Sequence, residues 1–557
     1  MNRREFILSA GAFVTLQLRA DETPLWSAGI VTDTHVFGER KSCRYVKMAC
    51  DLFAERNVDL FIHCGDIADR HIPEAYPILR ELTDAAFPAK PPRKIWVYAN
   101  HDRIGRRGEA WETVMSDVRR LLGDTHGFHD LIDFRGWPIL VFPQEIDVKR
   151  AEAMLTDACA RFPGKPVFVV DHVSPIFTTD NTATWGNYAR KRLYSRFPRA
   201  IVINGHVHTS LRNERNIWQG EFTCVNAGCL QVWQGHAVGA APESKRSYGA
   251  LVMEVFADRV VFRRFDVRTK AEYAPEEAWT VPLPFDPATA PYRPDVRSAR
   301  EVVPQFPAGA VLSLKANTPF SALEMAFPSA ESAHGTYIYK VQVTTPEGES
   351  LSRADFFGHF YLPEGERDVV VVRRLSAGYF DAGRRYRVRV TPCNCFGGEG
   401  RPLEAEFAAP TATEEAIVTF ESTDPAKVCP FFDWRTGGKR ITPGPDGWFD
   451  GVDAEINRFE LPAEAWKGEA GTRFRFTVDL QTEQTSARTW TLWLGNLVPL
   501  VSACARVATP EGKSGRTRYV VEFAKKSAQH AYHLFVGEGE RGRLRFDHVK
   551  IERLGRP

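Results

Sequence analysis

The sequence predicts a layered α/β domain followed by two all-β sandwich domains. Three observations predict it. Short apolar runs alternate with helical patterns from about Trp26 to Val267, helical periodicity vanishes beyond about Ser298, and the proline-rich stretch PLPFDPATAPYRPDV separates the two regimes.

In the first regime the order is SAGIVTDTH, RYVKMACDLFAER, VDLFIHCGD, EAYPILRELTDAA, KIWVYANHD and EAWETVMSDVRRLL, alternating strand with helix. PILVFPQ, PVFVVDH, AIVINGH and FTCVNAG continue the strands, and YGALVMEVFADRVVFRRFDV reads as a closing hairpin turned near Ala257-Asp258. Strands this uniformly apolar are covered on both faces. The proline-rich stretch reads as a linker. Beyond it, YIYKVQVTT, RDVVVVRRL and RRYRVRVTP alternate as strands of a small sandwich, and TRFRFTVDL, RTWTLWLG, TRYVVEFAKK, YHLFVGEG and LRFDHVKIERL make a second. The expected boundaries are 1–20 for an export signal, 21–284 for the α/β domain, 285–297 for the linker, 298–411 for the first β-sandwich and 412–557 for the second.

Composition narrows the function classes. The 557 residues carry 43% hydrophobic and 25% charged residues, a globular mix that excludes disorder, collagen and coiled coil. Lys plus Arg (72) balances Asp plus Glu (70), so no long-range field draws the chain to a nucleic-acid polymer or an anionic membrane. Ten dispersed cysteines form neither a paired zinc framework nor a dense disulfide scaffold. At the N-terminus, Arg3-Arg4 precede the apolar run FILSAGAFVTLQL, too short to span a membrane and ending near Ala20. The run Arg3-Arg4-Glu5-Phe6-Ile7 resembles a bacterial twin-arginine signal, implying a periplasmic or extracellular protein. No later segment offers the roughly 18 apolar residues that a membrane span needs.

Five strand ends finish in acid, histidine or amide: Asp33-Thr34-His35, Gly65-Asp66, Asn100-His101-Asp102, Asp171-His172 and Gly205-His206-Val207-His208. Loops after the carboxyl ends of strands converge on one crevice, so these residues can meet. Two apart on an extended segment, Asp33 and His35 share a face, as do His206 and His208. Oxygen and imidazole donors together suit Zn, Mn, Fe, Ni or Co.

In order and spacing, the set resembles the calcineurin-like metallophosphoesterase superfamily, with the pattern D-x-H, G-D-x-x-D, G-N-H-D/E, H, G-H-x-H, over residues 26–284. The nearest variant is the class III phosphodiesterase group, and one departure is Ala99 where the family has Gly. The resemblance implies that the α/β domain is a metallophosphoesterase β-sandwich flanked by helices, and it implies two divalent transition metal ions. Asp33, His35 and His208 would hold one, Asn100, His172 and His206 the other, and Asp66 would bridge. It implies a metal-bridging hydroxide as nucleophile, His101 as general acid, Asp102 orienting the His101 ring, and Asp69 as an outer acid. It implies a phosphate-ester substrate, leaning to a diester, with glycan-linked and nucleotide esters both open. A phosphomonoesterase on the same site is the alternative, and a catalytically silent cell-wall or polysaccharide binding protein is the alternative from another class.

Candidates for substrate contact are Arg44, Arg70, Arg103, Arg106 and Arg107, which follow motif segments, and Trp185, Asn187 and Tyr188 in a long loop after His172. The ending AGRRYRVRV with Asn394-Cys395-Phe396-Gly397 resembles the last strands of a fibronectin type III domain. The C-terminal region is similar to jelly-roll modules that bind carbohydrate, with Trp434, Trp448, Trp490 and Trp493 as candidate stacking faces.

Overall fold

The computed structural model describes residues 22–106, 108–182, 186–230, 248–348, 350–358, 360–362, 365, 367–428, 431–433, 440–452, 457–484, 489–495, 503–508, 512–513, 516–525, 527–537 and 542–555. The expected export signal lies outside the described residues. The first apolar runs become β1 (Trp26–Val31), β2 (Leu60–His63) and β3 (Arg93–Trp96). They alternate with α1 (Arg44–Glu55), α2 (Ala75–Ala85) and α3 (Trp111–Leu122). A second set follows: β4 (Asp130–Phe134), β5 (Trp137–Val141), α4 (Val148–Arg161), β6 (Val167–Val170), β7 (Ala200–Asn204), β8 (Ile217–Gln219) and β9 (Thr223–Asn226). The closing hairpin is β10 (Gly249–Val255) and β11 (Arg259–Asp266), with β12 (Ala271–Glu272) and β13 (Trp279–Pro282) pairing on its outer strand.

These strands form two mixed sheets, ordered β12-β11-β10-β1-β2-β3, with β13 on β11, and β4-β5-β6-β7-β9-β8. Their inner faces meet in one core, where Ala28, Ile30, Leu60, Ile62 and Ile95 pack with Ile139, Phe168, Val170, Ile201 and Ile203. The alternate residues face outward onto helices, which is why both faces are apolar. Gly29 permits a close approach of α1, since a Cβ there would collide with the Phe53 ring. On α1, Val46, Ala49, Cys50 and Phe53 recur at helical spacing and are buried. Gly123 ends α3 in the left-handed conformation (φ 69°), its N–H returning to the last carbonyls. Within each sheet the core strands run parallel, β1-β2-β3 and β5-β6-β7-β9, which gathers their carboxyl-end loops at one rim.

The proline-rich stretch is packed against the first domain and is no free spacer. Tyr292 is buried in the inter-sheet core; its hydroxyl accepts from Thr280 N at 2.7 Å, and its backbone pairs with Gln219. The helix Pro294–Arg300 then places Arg297 Nη2 2.7 Å from Glu214 Oε2, beside Arg264 and Trp279 Nε1. Proline content signals broken regular structure and is silent about packing. Burial pushes the Glu214 carboxyl up, but Arg264 and Arg297 outweigh it and hold it down at about 2. Glu214→Gln leaves two buried guanidiniums short of their counter-charge and should lower unfolding stability by about 3–5 kcal/mol, measured by urea denaturation.

Beyond Glu301 comes a sandwich of a three-stranded sheet, β14 (Ser313–Ala316), β15 (Ala322–Pro328) and β18 (Val370–Ser376), and strands β20 (Leu403–Ala408), β19 (Arg385–Cys393), β16 (Ile338–Thr344) and β17 (Ser350–Phe357). In β19 the pattern reads as expected: Tyr386, Val388 and Val390 are buried while Arg385, Arg387 and Arg389 are exposed. The Tyr386 hydroxyl accepts from Asp381 N at 2.7 Å, pinning the corner that leads into the strand. The remaining strands build a second sandwich around Phe449, Phe459, Trp466, Phe474, Phe476 and Ile551. One sheet crosses the boundary between the two sandwiches, through the parallel pairing of Ser352 with Arg518. Among the described residues, no helix is long and apolar enough to cross a membrane.

Contact between the first two domains is polar as well as apolar. His334 sets Nδ1 2.5 Å from Glu301 Oε1 and Nε2 2.7 Å from Glu277 Oε2, so both nitrogens donate and the ring is an imidazolium. The Glu301 hydrogen bond, together with Glu214 and Glu277, outweighs burial and pushes the ring up to about 9. A folded pKa above the ordinary 6.5 adds stability in full below about pH 6.5, and that stability is lost as pH rises through 9. Discounted for the exposed edge of the ring, the contribution is about 2 kcal/mol. His334→Gln should lower the thermal midpoint at pH 6 and match the parent protein by pH 10.

Candidate metal centre

The loops after β1, β2, β3, β6 and β7 meet at the rim. Three donor groups form there, Asp33–His35–Asp66–His208, Asp66–His172–His206 and His35–Asp69–His101, and Asp66 belongs to the first two. Asp33 Oδ1 lies 2.9 Å from His208 Nε2, which lies 3.1 Å from His35 Nε2. His172 Nε2 stands 3.2 Å from Asp66 Oδ2 and 3.2 Å from His206 Nδ1. Donors around one ion at about 2.0–2.2 Å sit roughly 3 Å apart, and these separations match. Asp33, His35, Asp66, His172 and His208 are buried.

The way the pairs are gathered differs from the extended segments expected. Asp33 (φ 52°), His35 (40°), Asp66 (52°), His206 (72°) and His208 (48°) all adopt left-handed backbone. β1 ends at Val31, after which Asp33 N bonds Gly65 O, and Thr34 N and His35 N both bond Asp66 O, so the loops curl over one another. The strain of these conformations, of order 1–3 kcal/mol each, is held by the surrounding bonds and collects at this rim. Two glycines permit the close approach: a Cβ on Gly65 would strike the His172 ring, and one on Gly205 would strike Thr32 and Asp33. Ala99, the departure from the family pattern, is outside the left-handed region, so its methyl costs nothing there.

One hydrogen bond settles which nitrogen the His172 ring offers, and an acid faces the outer nitrogen of His35. His172 Nδ1 donates to Cys64 O at 2.8 Å, leaving Nε2 for the site. His35 turns Nδ1 toward Asp69 Oδ1 at 3.7 Å and offers Nε2. Outer partners of this kind fix tautomer and orientation. Asn100 N donates to Gln144 Oε1 at 2.8 Å, while Asn100 Oδ1 is buried with no hydrogen-bond partner among the described residues. An orphaned buried carbonyl oxygen is costly unless something polar meets it, and a cation does. Burial pushes the His35, His63 and His206 rings down to about 3. Burial also opposes the charge of His172, but Asp66 and Asp33 outweigh it and hold the ring at about 9. Of the four imidazoles beside the two buried carboxylates, His35 and His206 are thus held neutral, while His172 and His208 are held up by Asp66 and Asp33.

His101 opens a short helical turn, its N–H donating to Asp66 Oδ1 at 3.0 Å. Its Nδ1 lies 2.8 Å from Asp69 O; a carbonyl only accepts, so Nδ1 carries hydrogen, and Nε2 makes no hydrogen bond among the described residues. The orienting group is therefore the Asp69 carbonyl and not Asp102. The Asp102 carboxylate turns inward to accept from Ala68 N (3.1 Å), Ala99 N (3.2 Å) and Tyr76 Oη (3.3 Å), tying the loop of Asp66 to the loop of Asn100. Burial, reinforced by Asp66, pushes it up to about 7 against those donors.

The substrate candidates separate. Arg70 is exposed at the rim, with Asp69 Oδ2 3.6 Å away. Arg103 is engaged with Glu145 (2.9 Å) and Glu109 O, and Arg106 with Glu109 and Asp117. Arg44 lies over the Tyr45 ring. Asn187 is the cap of the helix Tyr188–Tyr194, accepting from Arg190 N, and Tyr188 packs edge-on against Phe177. Trp185 and Arg107 lie outside the described residues, as do Trp434 and the side chains of Trp490 and Trp493. Trp448 has Arg543 and Arg545 over its ring. Unread in the sequence were His63, 3.0 Å from Thr34 Oγ1, Gln144, and the Arg190–Tyr194 clamp on buried Asp171. Only the Asp171-His172 adjacency hinted at the last.

With this geometry in view, the calcineurin-like phosphoesterase family matches residues 28–210. Residues 28–210 thus form a calcineurin-like phosphoesterase domain, and all-β, mainly antiparallel sheets follow later in the chain. Among solved structures, the chain is similar to purple acid phosphatase PPD1 from yellow lupin (Lupinus luteus) seeds, at 12% identity over 46% of this chain and 54% of that one, TM-score 0.32. The chain thus spans about half of that protein's length. It is also similar to the CBM22-1–GH10 modules of Clostridium thermocellum xylanase 10B, at 13% identity over 25% of this chain and 29% of that one, TM-score 0.19. A third is the CBM22 tandem of Paenibacillus barcinonensis Xyn10C, at 8% identity over 55% and 92%, TM-score 0.18. No curated protein matches the chain.

Proposed function

We propose that this protein is an exported phosphoesterase that uses two divalent transition metal ions, with a phosphodiester as its preferred substrate. The observation that carries the reading is the pair of donor groups sharing Asp66, beside the orphaned Asn100 Oδ1. Asp33, His35 and His208 would hold one ion, Asn100, His172 and His206 the other, with Asp66 common to both. When bound, two such ions supply charge stabilisation and a water activated near neutral pH. The chain supplies the rest. His101, held at Nδ1 by Asp69 O, presents Nε2 to protonate the departing alkoxide. Arg70 stands exposed beside Asp69 to pair with a phosphate oxygen. Export rests on the Arg3-Arg4 segment, and sugar contact by the last domain on its sequence pattern alone. The catalytic unit runs through the helix Pro294–Arg300, since Tyr292 and Arg297 belong to its core.

A silent binding protein is disfavoured because no donor of the set is missing. The test is turnover of nitrophenyl mono- and diesters, cyclic nucleotides and phosphorylated glycans by protein loaded with Mn, Zn, Fe, Ni or Co. The expected result is two bound metals and a higher kcat/KM for a diester than for its monoester. Metal binding without turnover of any ester would favour the silent reading, and a monoester preference would replace the diester.

A further inference from the structure

We infer that Tyr337, a residue of the second domain, is a positioning residue for the metal centre of the first, acting through Asp180 on the loop that also braces His206 and His208. The functional half of this inference rests on the phosphoesterase reading above.

Tyr337 precedes β16, is buried, and sends its hydroxyl across the domain boundary to Asp180, 2.9 Å from Oδ2 and 3.1 Å from Oδ1. Asp180 lies on the segment between His172 and the helix Tyr188–Tyr194. Its carboxylate also accepts from Asn213 Nδ2 at 2.8 Å and faces Arg215 Nη1 at 3.3 Å, and its N–H donates to Arg215 O at 3.1 Å. The next residue, Asn181, is held at φ 60°, a conformation that persists only where its neighbours over-determine it. From there Asn181 Nδ2 reaches Val207 O at 3.4 Å. Val207 is the residue between His206 and His208, both themselves in left-handed backbone. The path from the second domain to the histidine pair is thus Tyr337, Asp180, Asn181 and Val207, buried groups joined by two hydrogen bonds and the Asp180–Asn181 peptide link.

A second contact points the same way. Tyr337 shares a buried cluster with Phe357, Phe360 and Cys229, and Cys229 precedes Leu230, whose N–H bonds Thr32 O beside Asp33. The second domain therefore leans on two loops of the rim, one behind His206 and His208 and one behind Asp33. Small displacements at a reacting centre are costly, a 1 Å error reaching about 10²-fold, so loosening this brace should appear in turnover before it appears in substrate affinity.

The experiment uses the full chain. Tyr337→Phe keeps the ring in its cluster and removes only the hydroxyl. Amide hydrogen exchange at residues 179–182 should quicken by about tenfold while residues 339–343 of β16 stay unchanged, and kcat on a nitrophenyl ester should fall by about tenfold with KM within about twofold. Asp180→Asn should reproduce both effects, and the double variant should be no worse than the poorer single. His334→Gln loosens domain contact at a point that does not reach Asp180, and should leave exchange at 179–182 unchanged. Unchanged exchange in Tyr337→Phe, or equal quickening in His334→Gln, would overturn the inference. An inert parent enzyme with quickened exchange in Tyr337→Phe would fell the phosphoesterase reading and uphold the link between Tyr337 and the loop.

Discussion

Asp66→Asn should leave the protein folded, empty both metal positions, and reduce turnover by roughly 10³-fold or more. The size follows from the place of Asp66. It alone joins the group Asp33–His35–Asp66–His208 to the group Asp66–His172–His206, with Oδ2 3.2 Å from His172 Nε2 and 3.9 Å from His35 Nε2. Removal of mere outer partners of a metal already costs about 10–100-fold in affinity, and a shared anionic ligand is worth more than one of those. Asparagine preserves shape and can still accept the His101 N–H now 3.0 Å from Oδ1, so the loops should not unravel. What changes is charge: of the two buried carboxylates among the donors, Asp33 and Asp66, one is gone. His208→Ala, by contrast, removes a donor found in only one group and should mainly empty that position. Elemental analysis after reloading, with a nitrophenyl ester assay on the same samples, separates the two patterns. Two metals retained in Asp66→Asn would rule out the bridge.

Much of this architecture was legible in the sequence, for physical reasons that also mark the limits. A strand covered on both faces must be apolar throughout, so VFVV of β6 and AIVIN of β7 announce themselves, and the polar residues that end them stand out. The metal donors are legible because side-chain type carries their chemistry. Roles carried by backbone are not: nothing in the identity of Asp69 says that its carbonyl holds His101, or that Asp102 turns away to tie two loops. The left-handed curl at Asp33 and His35 was unreadable for the same cause, being imposed by Gly65 and Asp66 from another loop. Tertiary partners are hidden too. Tyr292 and Arg297 sit in a stretch whose prolines read as a linker, and only Glu214 and Gln219, far away in sequence, give them a place. Tyr337 had no sequence signal at all, since its partner Asp180 belongs to another domain.

His101→Ala should keep its metals and lose roughly 10²–10⁴ in turnover on an alkyl ester. The two halves of that result come from different atoms. His101 falls in the group His35–Asp69–His101 and in neither of the two groups that share Asp66, and its backbone N–H, which alanine retains, is what it gives to Asp66. The ring itself is held by Asp69 O at Nδ1, leaving Nε2 to carry a proton toward the departing oxygen. An alkoxide cannot leave without that proton, whereas a nitrophenolate can. The loss should therefore shrink by about tenfold or more when the leaving group is nitrophenolate. Equal losses for both esters would mean that His101 serves by shaping the rim, for it also stands edge-on to His35 with ring centroids 4.5 Å apart. Metal analysis on the same variant decides between these, because a ring that only buttressed His35 would release metal when removed, while a proton donor would not.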